Sequence, residues 1–124
     1  MGCASSPATR IDAIDEPFAA AGDAARGREV FMQREQGHCV LCHAVPGAAI
    51  AGNVGPSLAG VGSRLTPAQI RLRIADITRV YPDSVMPTFH RVDGLTRVAP
   101  AYRGKPALDG QQVEDLVAWL STLK

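Results

Sequence analysis

The feature that most constrains this chain is the run Cys39-Val40-Leu41-Cys42-His43. Two cysteines three positions apart, followed at once by histidine, are typical of a site where haem c is attached covalently. Each thiol forms a thioether with one vinyl group of the haem, and the histidine then lies beneath the iron as its proximal ligand. The sequence therefore predicts one haem c held through Cys39 and Cys42, with His43 on the iron.

A zinc site or a thiol redox pair is the alternative interpretation of these cysteines. Structural zinc needs two more well-spaced ligands, such as a second C-x-x-C. The candidates that remain are Cys3, His38 and His90, and they have no such spacing. His38 directly precedes the motif, on the proximal side, and is interpreted as a loop residue.

The second axial ligand of the iron is expected from Met86, with His90 as the competitor. Met86-Pro87 lies in a proline-rich, irregular stretch from 80 to 106, far enough along the chain to cover the distal face. A neutral thioether ligand stabilises ferrous iron and raises the reduction potential. Two histidine ligands would lower the potential, so the choice bears on function.

A ligating imidazole also needs a partner for its other ring nitrogen, which fixes the ring and raises its basicity. The stretch from 44 to 63 is rich in Gly, Ala and Pro. Within it, the carbonyl of Pro56 is the predicted acceptor for His43. A simple glycine-rich turn is the alternative interpretation.

Three helices are predicted around this site, so the fold class is all-α. The first follows an Asp23 N-cap and spans 24–36, the second follows a Thr66 N-cap and spans 67–78, and the third begins at Asp109. Gln69 and Gln112 complete capping boxes. The last helix is expected to cross the first. On the second helix, Arg71, Arg73 and Asp76 are expected to face solvent. The residues predicted to pack in the core are Ala24, Gly27, Val30, Phe31, Ile70, Ile74, Ile77, Val113, Leu116, Val117, Trp119, Leu120 and Leu123.

The length of 124 residues suits one domain, expected at 23–124 behind a flexible extension or surface strap at 1–22. The net charge of +1 gives no reason to expect nucleic-acid binding. The stretch 64–105 carries eight basic and three acidic residues, which describes either a solvated surface or a face for an acidic partner. No residues suggest a separate catalytic acid, base or nucleophile.

No apolar run is long enough to span a membrane, and no signal peptide is evident. Haem is attached to such motifs outside the bacterial cytoplasm, so a periplasmic protein that has lost its signal sequence is expected. Four interpretations of Cys3 stay open: a lipid-modified cysteine, a free thiol, a cysteine that pairs with another chain, and an incidental residue. Contact with a membrane is expected only if Cys3 is lipidated.

From about Asp23 to Lys124, these motifs together resemble class I cytochromes c. Longer strings are similar to the SoxX family, the small cytochrome subunits of SoxAX complexes. They include Asn53-Val54-Gly55-Pro56-Ser57-Leu58, the segment from Met86 to Pro106, and Gln112-Val113-Glu114-Asp115.

The SoxX resemblance implies a periplasmic heterodimer with SoxA that acts in bacterial sulfur oxidation. Such a complex is an L-cysteine S-thiosulfotransferase that couples thiosulfate oxidatively to a cysteine of the carrier protein SoxYZ. The resemblance puts the catalytic haem in SoxA, while the haem of this chain passes electrons to an acceptor cytochrome. A freely diffusing carrier cytochrome, or a haem enzyme or sensor with an open iron position, is the alternative.

Overall fold

The computed structural model describes residues 12–92 and 104–124. These residues form α1 (Ala24–Met32), α2 (Val61–Arg64), α3 (Pro67–Asp76) and α4 (Gly110–Ser121), with 3₁₀ turns at Cys39–Leu41 and Ile77–Arg79. No strand occurs within these two ranges, and the predicted all-α class is confirmed. Cys3 and residues 93–103 of the SoxX-like segment, for which expectations were given above, lie outside the described residues.

The first helix, α1, begins as predicted but ends four residues early. The side chain of Asp23 accepts a hydrogen bond from the backbone N–H of Arg26 and so caps the helix. At Gln33 the backbone turns extended, with ψ at 132°. The N–H of Gly37 then donates to the carbonyl of Val30 at 3.0 Å. The chain thus folds back over the end of α1, which brings the cysteine motif against the helix.

Helix α4 crosses α1, and the crossing is close because Gly27 lacks a side chain. A β-carbon at this position would collide with the backbone carbonyl of Asp115 and lie 2.9 Å from the β-carbon of Trp119. One turn further on, the rings of Phe31 and Trp119 pack with their centroids 5.1 Å apart. The expected meeting of Gly27 and Phe31 with Trp119 is confirmed.

Helix α3 carries the predicted capping box at its start. The side chain of Thr66 accepts from the N–H of Gln69, and the side chain of Gln69 accepts from the N–H of Thr66. Ile70 and Ile74 are buried as predicted, and so is Ile77 in the 3₁₀ turn that follows. The α-helix itself ends at Asp76, two residues before the predicted end.

The prediction that Arg71 faces solvent is wrong, since this residue is only 6% exposed. Its Nε donates to Oε2 of Glu114 at 2.8 Å, and its Nη2 donates to Oε1 at 2.9 Å. The reason is that α4 covers one flank of α3 and the N-terminal segment covers the next. The arginine therefore lies between three pieces of chain, where a bidentate carboxylate stabilises its charge.

Helix α4 is the central helix of the domain. Asp109 and Gln112 form the predicted capping box, and α2 packs at the other end, where Gly62 donates to the carbonyl of Leu123 at 2.8 Å. In addition to the apolar face of α4, its residues Glu114 and Asp115 are buried, because α1, α3 and the N-terminal segment cover the helix on several sides. The side chains that are nearly inaccessible to solvent are Phe31, Leu72, Leu108, Val113 and Leu116.

Residues 12–22 lie against α3 and α4 as a strap, which is one of the two alternatives expected for 1–22. The N–H of Ile14 donates to the carbonyl of Ala68 at 3.0 Å, and Arg71 donates to the carbonyl of Ile14 at 2.6 Å. Further along, the N–H of Phe18 donates to the Glu114 carboxylate at 3.2 Å. The buried side chains of Arg71 and Glu114 and one backbone carbonyl of α3 thus bond the backbone of the strap.

Candidate haem site

The cysteine motif is a tight turn that gathers its three functional residues. His38 has a φ of 49° and starts the 3₁₀ turn Cys39–Leu41. The carbonyl of Cys39 accepts from the N–H of Cys42 at 3.1 Å and from the N–H of His43 at 3.0 Å. Both cysteines are free of disulfide bonds. Two thiols and an imidazole therefore leave the same short piece of backbone, as attachment to one edge of a haem requires.

The imidazole of His43 is held by a backbone carbonyl in the glycine-rich loop. Its Nδ1 lies 2.7 Å from the carbonyl oxygen of Pro56. A carbonyl only accepts hydrogen bonds, so Nδ1 carries the proton and the lone pair of Nε2 is available to a metal. This is the partner and the tautomer that a ligating histidine needs.

The loop that carries Pro56 is pinned to the motif by two backbone hydrogen bonds. The N–H of Gly55 donates to the carbonyl of Cys42, and the N–H of Leu58 donates to the carbonyl of Ala44, both at 2.9 Å. A β-carbon at Gly55 would collide with the His43 ring. Glycine at this position therefore lets the loop pass close beside the imidazole.

The surroundings of Cys39 disfavour thiol redox chemistry. Burial is the main cause that raises the pKa of the Cys39 thiol to about 12. The thiol is then protonated at neutral pH, whereas thiol–disulfide exchange needs the thiolate. Within the described ranges, no cluster of three or more His, Cys, Asp or Glu side chains suited to a metal ion occurs.

Met86 lies in the loop that follows the 3₁₀ turn after α3, and it is half-buried. Its N–H donates to the hydroxyl of Ser84 at 3.1 Å. The loop rejoins the core shortly afterwards. The N–H groups of Phe89 and His90 donate to the carbonyls of Ile74 and Ala75, both at 3.2 Å. Met86 therefore belongs to a loop whose far end is tied to α3.

His90 is occupied by contacts with the protein. Its Nδ1 lies 3.0 Å from the carbonyl oxygen of Leu108, which again places the proton on Nδ1. The ring of Phe18 packs on its imidazole with centroids 4.4 Å apart. A histidine that joins the strap, the Met86 loop and the start of α4 in this way has a structural role of its own.

These residues fit a covalently bound haem, and a comparison with family models decides the family. The model for cytochrome c matches residues 24–124. The chain belongs to the cytochrome c family. A c-type cytochrome carries covalently bound haem c and serves electron transfer.

A solved structure relates this cytochrome c to a narrower group. The structure titled "Crystal structure of SoxXA from P. pantotrophus" contains a chain that is 33% identical in sequence, with a TM-score of 0.84. The match covers 93% of this chain and 92% of that one. The resemblance to SoxX is therefore confirmed. A search of curated protein sequences found no match.

Several residues outside the motif support the cytochrome fold without any signal in the sequence pattern. The strap residue Phe18 carried no pattern, because it is isolated in a stretch without periodicity. Glu114 and Asp115 lie about 110° and 150° from the centre of the apolar face of α4, since successive helix residues are about 100° apart. Only knowledge of what packs on the other sides of α4 would have shown that they are buried.

Within the described ranges, no helix of this cytochrome is both long and apolar enough to cross a membrane.

Proposed function

We propose that this cytochrome is the electron-transfer subunit of a SoxAX-type complex. It accepts electrons as thiosulfate is coupled oxidatively to a cysteine of SoxYZ, and it passes them to an acceptor cytochrome. The observation that carries the proposal is the His43 site, in a chain that matches one chain of a SoxXA structure over 93% of its length.

Cys39 and Cys42 would hold one haem c through thioethers, and His43 and Met86 would ligate its iron. The haem supplies a one-electron iron couple. The bond from His43 to the Pro56 carbonyl makes the imidazole a stronger donor, which favours ferric iron. The Met86 thioether favours ferrous iron and raises the potential. These opposing ligands set the potential of an electron carrier.

If both His43 and Met86 ligate the iron, a substrate would find no open position there. The chemistry on thiosulfate then belongs to the haem of SoxA, and this chain contributes to the thiosulfotransferase by removing electrons. Outer-sphere transfer needs only that the haem edge lies close to its donor and acceptor. A freestanding carrier would use the same ligands, so the partner distinguishes the two functions.

A SoxA subunit needs a face on this cytochrome, and a stable interface buries about 1,200–2,000 Å² in total. Three large apolar side chains beside the attachment turn are exposed: Leu41 at 63%, Ile50 at 89% and Val54 at 71%. The N–H of Gly52 donates to the carbonyl of Val40 at 2.9 Å, which holds this loop against the turn. Exposed apolar groups of this kind support a protein contact beside the attachment turn. The complex is proposed to be periplasmic.

The test begins with the near-infrared spectrum of the oxidised haem-loaded protein. A weak sulfur-to-iron charge-transfer band in the wild type, lost in Met86→Ala and kept in His90→Ala, supports ligation by Met86. Its absence from a low-spin wild type moves the second ligand to His90. A high-spin spectrum, with tight carbon monoxide binding after reduction, contradicts the electron-transfer proposal and favours an enzyme or a sensor.

The partner is tested by co-expression with SoxA and by stopped-flow spectroscopy. The two subunits should co-purify in a 1:1 ratio. Thiosulfate and SoxYZ should then reduce the haem of this chain only when SoxA is present. A chain that elutes alone, and that other cytochromes reduce equally fast with or without SoxA, is a freestanding carrier.

A further inference from the structure

We infer that Phe18 is a positioning residue for the iron site, because it locks His90 and thereby holds the loop that carries Met86. The inference rests on the proposed ligation of iron by Met86. It assigns a function to the N-terminal strap, which lies outside the part of the chain matched by the cytochrome c family model, 24–124.

His90 fixes the far end of the Met86 loop. Its N–H donates to the carbonyl of Ala75 on α3 at 3.2 Å, and its Nδ1 donates to the carbonyl of Leu108 at 3.0 Å. Its neighbour Phe89 accepts from the N–H of Leu108 at 2.8 Å. Only three residues separate Met86 from His90, so movement of His90 changes the position of the Met86 sulfur.

The imidazole of His90 also packs against the ring of Phe18. The two rings are tilted by 34°, with their centroids 4.4 Å apart. Aromatic rings at this distance attract each other in addition to the apolar area that they bury. Phe18 is also close to α4, since a β-carbon at Gly110 would lie 2.9 Å from its carbonyl oxygen. Phe18 therefore lies between the start of α4 and the Met86 loop.

The strap itself is firmly held. Arg71 donates to the carbonyl of Ile14 at 2.6 Å and pairs with Glu114, which accepts from the N–H of Phe18 at 3.2 Å. Gln69 donates to the carboxylate of Asp12 at 2.8 Å. The strap is thus bonded to side chains of α3 near its start and to a side chain of α4 at Phe18. Phe18 is held in place and does not simply follow His90.

A loop with a fixed end keeps the methionine sulfur at the iron and competes with outside ligands. If Phe18 is removed, the loop should leave the iron more often. An added ligand such as carbon monoxide, which binds ferrous iron when the methionine is away, reports that opening directly. A residue that only stabilises the fold would lower the melting temperature without this change in ligand competition.

The experiment measures carbon monoxide binding to the reduced, haem-loaded protein at a subsaturating concentration. Phe18→Ala should increase the binding constant by roughly 3- to 10-fold, equivalent to about 0.7–1.4 kcal/mol. Phe18→Tyr keeps the ring and should stay within about twofold of the wild type. Leu123→Ala truncates another half-buried apolar residue, at the opposite end of α4, and serves as the matched control.

A second readout is deuterium exchange of the peptide that contains Phe89 and His90, whose N–H groups bond to α3. Exchange there should be faster in Phe18→Ala and unchanged in Leu123→Ala. If Phe18→Ala does not accumulate with haem, Phe18→Leu replaces it, with the same direction expected. It removes the ring and keeps an apolar side chain.

The inference is overturned if carbon monoxide binding is unchanged in the Phe18 variants, or if Leu123→Ala raises it equally. Failure of the proposed function gives a different result. In that case the wild type itself lacks the sulfur-to-iron band and binds carbon monoxide tightly before any substitution. A wild type with the band, together with Phe18 variants that behave like it, retains Met86 ligation and removes only the role of Phe18.

Discussion

Replacing Arg71 by methionine should be among the most destabilising single changes in this protein. The arginine and Glu114 form a bidentate ion pair, and their side chains are only 7% and 4% exposed. Methionine keeps much of the length and apolar character of the arginine stem but removes every hydrogen-bond donor. Glu114 would then remain in the interior with one donor, the N–H of Phe18 at 3.2 Å.

The size of the effect follows from what is left behind. Breaking a buried ion pair by removing one partner costs about 3–5 kcal/mol, because the other charge stays buried and uncompensated. At roughly 4 °C per kcal/mol for a domain of this size, the melting temperature should fall by about 12–20 °C. Replacing both partners, as in Arg71→Met with Glu114→Leu, removes the orphaned charge. The double variant should therefore recover a large part of the loss.

The assay is guanidinium unfolding of the oxidised, haem-loaded protein, followed both by circular dichroism and by haem absorption. The wild type, the two single variants and the double variant complete a thermodynamic cycle. A coupling free energy above about 1.5 kcal/mol is expected for residues in such contact. A loss below about 1 kcal/mol for Arg71→Met, together with negligible coupling, would refute the reasoning, since it would mean that water reaches the carboxylate.

Three further predictions concern other parts of the molecule. Burial pushes the pKa of Asp115 up, but hydrogen bonds from Arg26, from the Asp23 N–H and from Gln111 outweigh it and leave that pKa below its ordinary value. The stabilisation by Asp115 is then present above a pH of about 4 and is lost as the pH falls through the lowered pKa. Asp115→Asn should therefore flatten the acid side of the curve of unfolding free energy against pH, by up to about 1.4 kcal/mol per pH unit. Gly55→Ala should push the loop away from the His43 ring and weaken the hydrogen bond from His43 to the Pro56 carbonyl. The reduction potential should then rise in a spectroelectrochemical titration. An unchanged potential would show that the loop accommodates the methyl group. Ile50→Glu should weaken the affinity for SoxA at least tenfold, as measured by calorimetry. The control Thr122→Glu, which also changes a surface residue, should leave the affinity unchanged. Equal affinities of the two variants would show that Ile50 does not contact SoxA.

Local sequence patterns predicted the features that depend on nearby residues. The capping boxes at Thr66 and Asp109 each need two side chains three positions apart, so the sequence alone contains the whole interaction. The cysteine motif is similar, because its spacing is the requirement of the cofactor. The contact between Gly27 and α4 was also predictable, since a glycine within a helix suggests a close crossing.

Features that depend on distant parts of the chain were not predictable in the same way. Arg71 was expected on the surface because the periodicity of α3 describes one apolar face and is silent about its flanks. Its burial depends on Glu114, 43 residues away, and on the carbonyl of Ile14, 57 residues away. The early end of α1 likewise follows from the return of the chain toward Val30, which no local propensity encodes.

The bond between His43 and the Pro56 carbonyl has a consequence for how this cytochrome tolerates mutation. Every amino acid has a backbone carbonyl, so a substitution at position 56 changes the side chain and leaves the acceptor atom in place. The carbonyl also has no proton to gain or lose between pH 5 and 9, unlike a carboxylate in the same role. The electron donation by the histidine is thus set by the path of the loop. The residues that matter most are therefore those that fix the backbone of this loop. The first of them is Gly55, whose N–H donates to the carbonyl of Cys42.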